Sequence, residues 1–156
     1  MGQDPGSFAV DATLCDSAVV ADGKLYVHGG GWNMLSAAQV PFIHARIGIA
    51  AVITVPYPQT NREHEFSVHL IDQDGQQIPI GPGRHDLDGT TAREPAIKGR
   101  FAVGRPPWLI SGDSQLLPLA INIDQMEIST VGRFSFDLAI DDEVHNRLSF
   151  RVQLPR

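Results

Sequence analysis

Residues 41–58, PFIHARIGIAAVITVPYP, decide the fold. Ile43, Ala45, Ile47, Ile49, Ala51, Ile53 and Val55 alternate with Phe42, His44, Arg46, Gly48, Ala50, Val52 and Thr54. Successive side chains of a strand point to opposite faces, so the first set predicts a buried face and the second its reverse. Pro56 and Pro58 stop the run, because proline lacks the N–H that a ladder needs. On the reverse face Phe42, Ala50 and Val52 are more apolar than solvation requires, which predicts a homodimer built by sheet packing or edge pairing.

The same period of two recurs on both sides of this stretch. In EFSVHLI, Phe66, Val68 and Leu70 oppose Glu65, Ser67 and His69; an Asp-Gly turn follows, and Gln77 to Ile80 returns as a partner strand. Further on, Gln115 to Ile123, Arg133 to Ile140 and Arg147 to Leu154 alternate in the same way, with Pro118 marking an edge or a bulge. DDEVHN is predicted as a hairpin loop. Near the start, Phe8 to Val20 is extended, ADGK turns the chain, and Leu25 to His28 pairs back. Helix is scarce: NMLSAAQ, behind Asn33 as a cap, is predicted to form one or two turns. Residues 81–96 and 104–114 are predicted as linkers. About eight or nine short strands fit an all-β, single-domain antiparallel β-sandwich, immunoglobulin-like or jelly-roll-like, over residues 8–156. The polar residues 1–7 are predicted to be disordered or tag-like.

Composition narrows the function. The chain has 156 residues, enough to bury a core without metal or disulfide. Its net charge is −6, and its 12 basic residues form no run, which argues against nucleic-acid binding. One cysteine, Cys15, allows no internal disulfide, and no apolar window approaches the length of a membrane span. The expectation is a soluble cytoplasmic protein that binds neither nucleic acid nor membrane.

KLYVHGGGWNML, residues 24–35, raises a catalytic reading, since some esterases use an HGGG loop as an oxyanion hole. That chemistry needs a Ser on a G-x-S-x-G elbow, and the chain has none; its nearest match, Gly112-Asp113-Ser114-Gln115-Leu116, leads into a strand. Ser114, with Asp142 and His145 of DDEVH, also resembles a Gly-Asp-Ser hydrolase set, but strands lie between them where that family has βα units. Metal sites fare no better. His64 and His69 of HEFSVH lie an odd number of residues apart and point to opposite faces of a strand. DQDG and DLDG both lack the outer carboxylates of a calcium loop. The glycine runs lack the rest of any phosphate or dinucleotide motif. Cys15, beside Asp16, reads as a small buried apolar residue.

Recognition remains. Trp32 and Trp108 are the only tryptophans, each in a Gly- or Pro-rich loop, with His28 before the first and Arg105 before the second. Aromatics on rigid loops beside a cation suit contact with a protein partner or a planar ligand. In the plainer alternative, each Trp plugs one end of the core. The leading expectation is a non-enzymatic binding or assembly module without cofactor or metal, with His28, Trp32, Arg105 and Trp108 as binding residues. The first rival is an esterase-like hydrolase using Ser114 and His145, with the N–H groups of Gly29 to Gly31 as anion hole. The second is a carrier holding a small ligand between the sheets.

Cys15-Asp16-x-Ala18, Asp22-Gly23-Lys24-Leu25-Tyr26-x-x-Gly29-Gly30-Gly31-Trp32 and Pro41, with EFSVHLIDQDGQ, FAVGRPPWLISGD and GRFSFDLAIDD, resemble a family of small bacterial proteins of unknown function. The resemblance spans most of the chain and implies a compact β-sandwich with no assigned activity. It makes the glycine triplet part of a scaffold at a strand end.

Overall fold

Phe42–Val55, the stretch with the longest alternation, is the middle strand of a three-stranded antiparallel sheet in the computed structural model, which describes residues 6–85 and 91–156. In chain order the strands are β1 (Ala9–Cys15), β2 (Ser17–Ala21), β3 (Lys24–His28), β4 (Met34–Ser36), β5 (Phe42–Val55), β6 (Glu63–Asp72) and β7 (Gln77–Ile78). They continue with β8 (Ile80–His85), β9 (Thr91–Glu94), β10 (Ile97–Ala102), β11 (Gln115–Ile128), β12 (Gly132–Ile140) and β13 (Glu143–Gln153). The first sheet runs β1-β5-β11; the second runs β10-β6-β12-β13-β4, with β7 also on β6. The β2–β3 and β8–β9 pairs form two small sheets. The all-β expectation holds.

The two larger sheets share one apolar cluster. Leu14, Ile49, Ile53 and Ile123 come from the first, and Phe66, Val68, Phe136 and Phe150 from the second. Phe150 stacks on both Phe134 and Phe136, with centroids 5.6 and 5.4 Å away. This burial is the dominant favourable term in folding, since each fully buried side chain of this size contributes about 1.5–3 kcal/mol.

Several details depart from the sequence reading. Ile43 and Ala45 were expected on the same face as Ile47, but both are exposed, Ile43 at 64%. The partner strand shows why. Gln125 takes a left-handed φ of 51°, and the ladder omits its pairing with Ala45 while holding Arg46↔Asp124 and His44↔Met126. The pleat of both strands turns over there, so Met126 and Ile128 face inward where Ile123 did before the flip.

NMLSAAQ is not helical. Met34–Ser36 is a parallel edge strand on β13, which satisfies its backbone groups and buries Leu35. Residues 81–96, expected as a linker, include the β8–β9 pair; DLDG, residues 86–89, lies outside the described residues, as do residues 1–5. The hairpin between β12 and β13 is only Asp141-Asp142, both left-handed at φ 50° and 67°, so Glu143 to Asn146 belong to the strand. Positive φ at both turn residues matches the right-handed twist of the strands it joins.

Part of the apolar reverse face of β5 finds its cover within the chain. Ala50 is buried with Cys15 and Ala18, and Leu25 and Ala120 pack on them, so the β2–β3 hairpin lies over this layer. Of the other two residues that suggested a dimer, Phe42 packs on the main core and Val52 stays half-buried. Pro118 sits in β11, an edge of its sheet, as proline requires.

Candidate functional site

The site grows from the point where β5 stops. Pro56 lacks an N–H, so the chain leaves the sheet and Tyr57–Gln59 form a single 3-10 turn. The Thr60 backbone N–H and Thr60 Oγ1 both donate to the Tyr57 carbonyl, at 3.2 and 2.6 Å. Arg105 then closes on the turn. Its Nε donates to Thr60 Oγ1 at 2.6 Å, its Nη2 donates to the Tyr57 carbonyl at 3.1 Å, and its guanidinium carbon lies 4.0 Å from the centroid of the Tyr57 ring. A planar fork that donates along its edge and stacks with its face can do both at once.

Beneath this clamp lies His64, almost wholly buried. Its Nδ1 is 2.7 Å from Asp141 Oδ2 and its Nε2 is 2.8 Å from the Gln59 carbonyl. A carbonyl can only accept, so Nε2 carries a proton. The Glu65 backbone N–H donates to Asp141 Oδ1 at 3.0 Å; this bond first, and the one from His64 second, hold the Asp141 carboxyl below its ordinary range. The buried ring thus bridges the Asp141 carboxylate to the turn after β5. Phe8 meets it edge-on at 4.9 Å and Phe101 lies against it at 5.4 Å.

The loop after β10 is fixed by this foundation. Asn61 N–H donates to Val103 O at 2.7 Å, and two turns follow, Leu109 N–H to Pro106 O and Asp113 N–H to Ile110 O. Between its anchors the loop carries Trp108 at 76% exposure and Ile110 at 70%, with Leu116 at 69% on the strand behind. Trp108 therefore does not plug the core.

Trp32 behaves differently. It is half-buried and packs on the main core, with its Nε1 shielded and unbonded. Gly31 N–H donates to Leu14 O at 3.0 Å and to Thr13 Oγ1 at 3.2 Å, while Asn33 O accepts the Arg151 N–H at 2.9 Å. His28 is exposed at the end of β3, opposite Ser17. Phe8 touches His64 at one end of β1 and Leu14 holds Gly31 at the other, about 20 Å of extended chain away. Arg105 and Trp108 thus share one loop, and His28 and Trp32 belong to the other end.

The parts of the hydrolase reading do not assemble. Ser114 adjoins Gln115, which pairs with Val55 on the β11 side of β5. His145 meets the Phe8 ring at 6.0 Å, and Asn146 Nδ2 donates to Val10 O, which places both on the β1 side. Two strand spacings, about 10 Å, separate these flanks. The glycine loop lies at the far end of β1. Gly31 has spent its N–H, and Gly29 crowds the Asp16 carboxylate, a poor neighbour for a developing oxyanion. Among the described residues the Ser–His contact is Ser67 Oγ to His69 Nε2 at 3.1 Å. Ser67 is buried, and the Asp137 carboxylate opposite His69 accepts from Ser135 Oγ and sits 3.4 Å from Arg147 Nε. A small, partly open apolar pocket beside Leu70, Met126 and Phe150 is about 40 Å³, far below the several hundred a carried organic molecule needs.

Tyr57, Thr60, His64 and Asp141 carry no sequence signal as a site. Arg105 lies 45 residues from Thr60, and His64 lies 77 from Asp141. Only the Pro56-x-Pro58 spacing marked a turn.

Fold and loop together define a class: an all-β protein that presents an exposed aromatic on a braced loop. The chain belongs to DUF6941, a family of unknown function, which matches residues 10–153. No curated protein matches it. Among solved structures, one similar chain is the Pseudomonas fluorescens alkylpurine DNA glycosylase AlkC bound to DNA containing an abasic site analog, at 11% identity and a TM-score of 0.41. That match covers 91% of this chain and 30% of the other. Among the described residues no helix is long and apolar enough to cross a membrane.

Proposed function

We propose that this protein is a non-enzymatic binding or assembly module whose contact surface for a protein partner is the Trp108 loop. One observation carries the reading: Trp108 and Ile110 stand in water on a loop whose base is clamped by Arg105. Exposing an indole and an isoleucine side by side loses the transfer energy their burial would give, roughly 1.5–3 kcal/mol each. A braced loop lowers the ordering entropy that a partner must overcome, and Trp is the residue type most enriched at the centres of interfaces.

The partner tested first is a second copy of the chain. Sedimentation velocity over a concentration series should show self-association that Trp108→Ser with Ile110→Ser abolishes. Trp108 emission, read in a Trp32→Phe background, should shift to the blue as protein concentration rises. A strictly monomeric wild type with constant emission would remove the assembly reading. The non-enzymatic reading is tested separately: an ester-hydrolysis rate lost on Ser114→Ala would overturn it.

A further inference from the structure

We propose that a groove at the Trp32 end of the molecule binds a dianionic oxyanion, with Arg133 and Arg151 as its two ligating cations and a phosphate monoester of a small molecule as its ligand class. It is independent of the Trp108 loop.

The argument begins with the ladder between β12 and β13. On the face turned from the core, Arg133 pairs with Arg151, Ser135 with Ser149, and Asp137 with Arg147. Directly opposed side chains on one face of an antiparallel pair are close neighbours, and like charges there repel. Arg147 is compensated, with its Nε 3.4 Å from Asp137 Oδ2. Among the described residues neither Arg133 nor Arg151 has a carboxylate within ion-pair distance or a side-chain hydrogen bond. The same ladder that neutralises one arginine leaves two facing each other.

These two arginines flank a concavity. An open groove of about 520 Å³ is lined by both of them, by Ser135 and Ser149 on the next rung, and by Asn33 and Asp72. Asp72 is not within ion-pair distance of either arginine; its Oδ1 accepts the N–H groups of Asp74 and Gln76, both at 2.9 Å, in the turn after β6, and its charge offsets the pair only in part. Asn33 is fixed because its carbonyl accepts the Arg151 N–H. Met34, 48% exposed, gives the rim an apolar side.

Two guanidiniums supply two positive charges and planar forks that match phosphoryl oxygens, and the Ser149 hydroxyl adds a neutral donor, that of Ser135 being given to Asp137 Oδ1. A monocarboxylate offers two oxygens to the two forks, whereas a phosphate monoester offers three. The chain as a whole is acidic at −6, so attraction for an anion must come from this local pair and not from the overall field. The groove has room for the organic part of an ester beside Met34.

Titration calorimetry at constant ionic strength tests this with three probes: inorganic phosphate, phenyl phosphate and benzoate. Phenyl phosphate should bind saturably, and Arg133→Gln or Arg151→Gln should each weaken it at least about tenfold. Arg147→Gln should leave it unchanged. Unaltered thermal unfolding of the two exposed variants would show that they fold, separating lost contacts from lost structure. Tighter binding of phenyl phosphate than of inorganic phosphate supports an ester as the ligand; equal binding overturns that part and leaves free phosphate. No saturation up to about 10 mM, equal affinity for benzoate, or equal weakening by all three substitutions would overturn the anion site.

Discussion

Arg105 lies over Tyr57, its guanidinium carbon 4.0 Å from the ring centroid, while the same guanidinium donates to Thr60 Oγ1 and to the Tyr57 carbonyl. One side chain therefore joins the loop after β10 to the turn after β5. That turn also receives His64, through the Gln59 carbonyl, and His64 in turn holds Asp141. The exposed Trp108 rests on this connected set of polar contacts.

Arg105→Ala should release the loop without unfolding the protein. The expected loss of stability is about 1–2 kcal/mol, from a stacked cation and two hydrogen bonds near the surface. Trp108 fluorescence anisotropy in a Trp32→Phe background should fall. Arg105→Lys should recover little, because an ammonium has no fork to serve both oxygens. An unchanged anisotropy in Arg105→Ala would show that the loop turns suffice.

Acid sensitivity should centre on Asp141. Its native carboxyl ionises below the ordinary value near 3.9, because the Glu65 N–H and then His64 favour the charged form. The unfolded chain thus takes up the proton first as pH falls. Stability from this group is complete above roughly pH 5 and is lost as pH drops through the lower native value. Asp141→Asn keeps the left-handed turn conformation open to the new residue. It should lower stability near neutral pH by on the order of 1 kcal/mol, discounted for the half-exposed carboxylate, and flatten the acid limb in urea titrations.

Cys15 should limit stability at the alkaline side. Burial first, and the Asp16 charge second, push its thiol up from the ordinary value. Its contribution is present below the unfolded value near 8.5 and is lost as pH rises through the native one. The native thiol should resist a disulfide-exchange reagent and react when urea unfolds the chain. Rapid labelling under native conditions would contradict the burial.

Gly48 should tolerate no side chain. A Cβ there would lie 2.7 Å from Cys15 Sγ, 3.1 Å from the Ser17 Cα and 3.2 Å from the Cys15 carbonyl. Gly48→Ala should lose about 1–3 kcal/mol by overpacking, read from the urea midpoint. A Cys15→Ala background should relieve part of that loss and not all, since two of the three obstacles are backbone. At Gly31 the space is open but φ is 84°, so Gly31→Ala should lose about 1 kcal/mol through conformation alone.

The residues of β5, β6, β12 and β13 reveal their strands because burial on one face imposes a period of two that survives in the sequence. The same local logic identified the Asp22-Gly23 turn between β2 and β3 and the proline-tolerant edge at Pro118, but made the β12–β13 hairpin a longer loop than Asp141-Asp142. It failed where the tertiary structure supplied what the segment lacked. Met34 to Ser36 became a strand because β13 offered an open edge, and Ile43 moved to the surface because Gln125 turned the pleat of the neighbouring strand. For the candidate site, the sequence by itself picked out Arg105 and Trp108, since a cation and an aromatic in a proline-rich loop stand near each other in the chain. Their separation from His28 and Trp32, the brace of Tyr57, Thr60, His64 and Asp141, and the meeting of Arg133 with Arg151 were decided only by the packing. Each depends on strand pairing across tens of residues, and side-chain order along one segment holds no record of which strand will lie beside it.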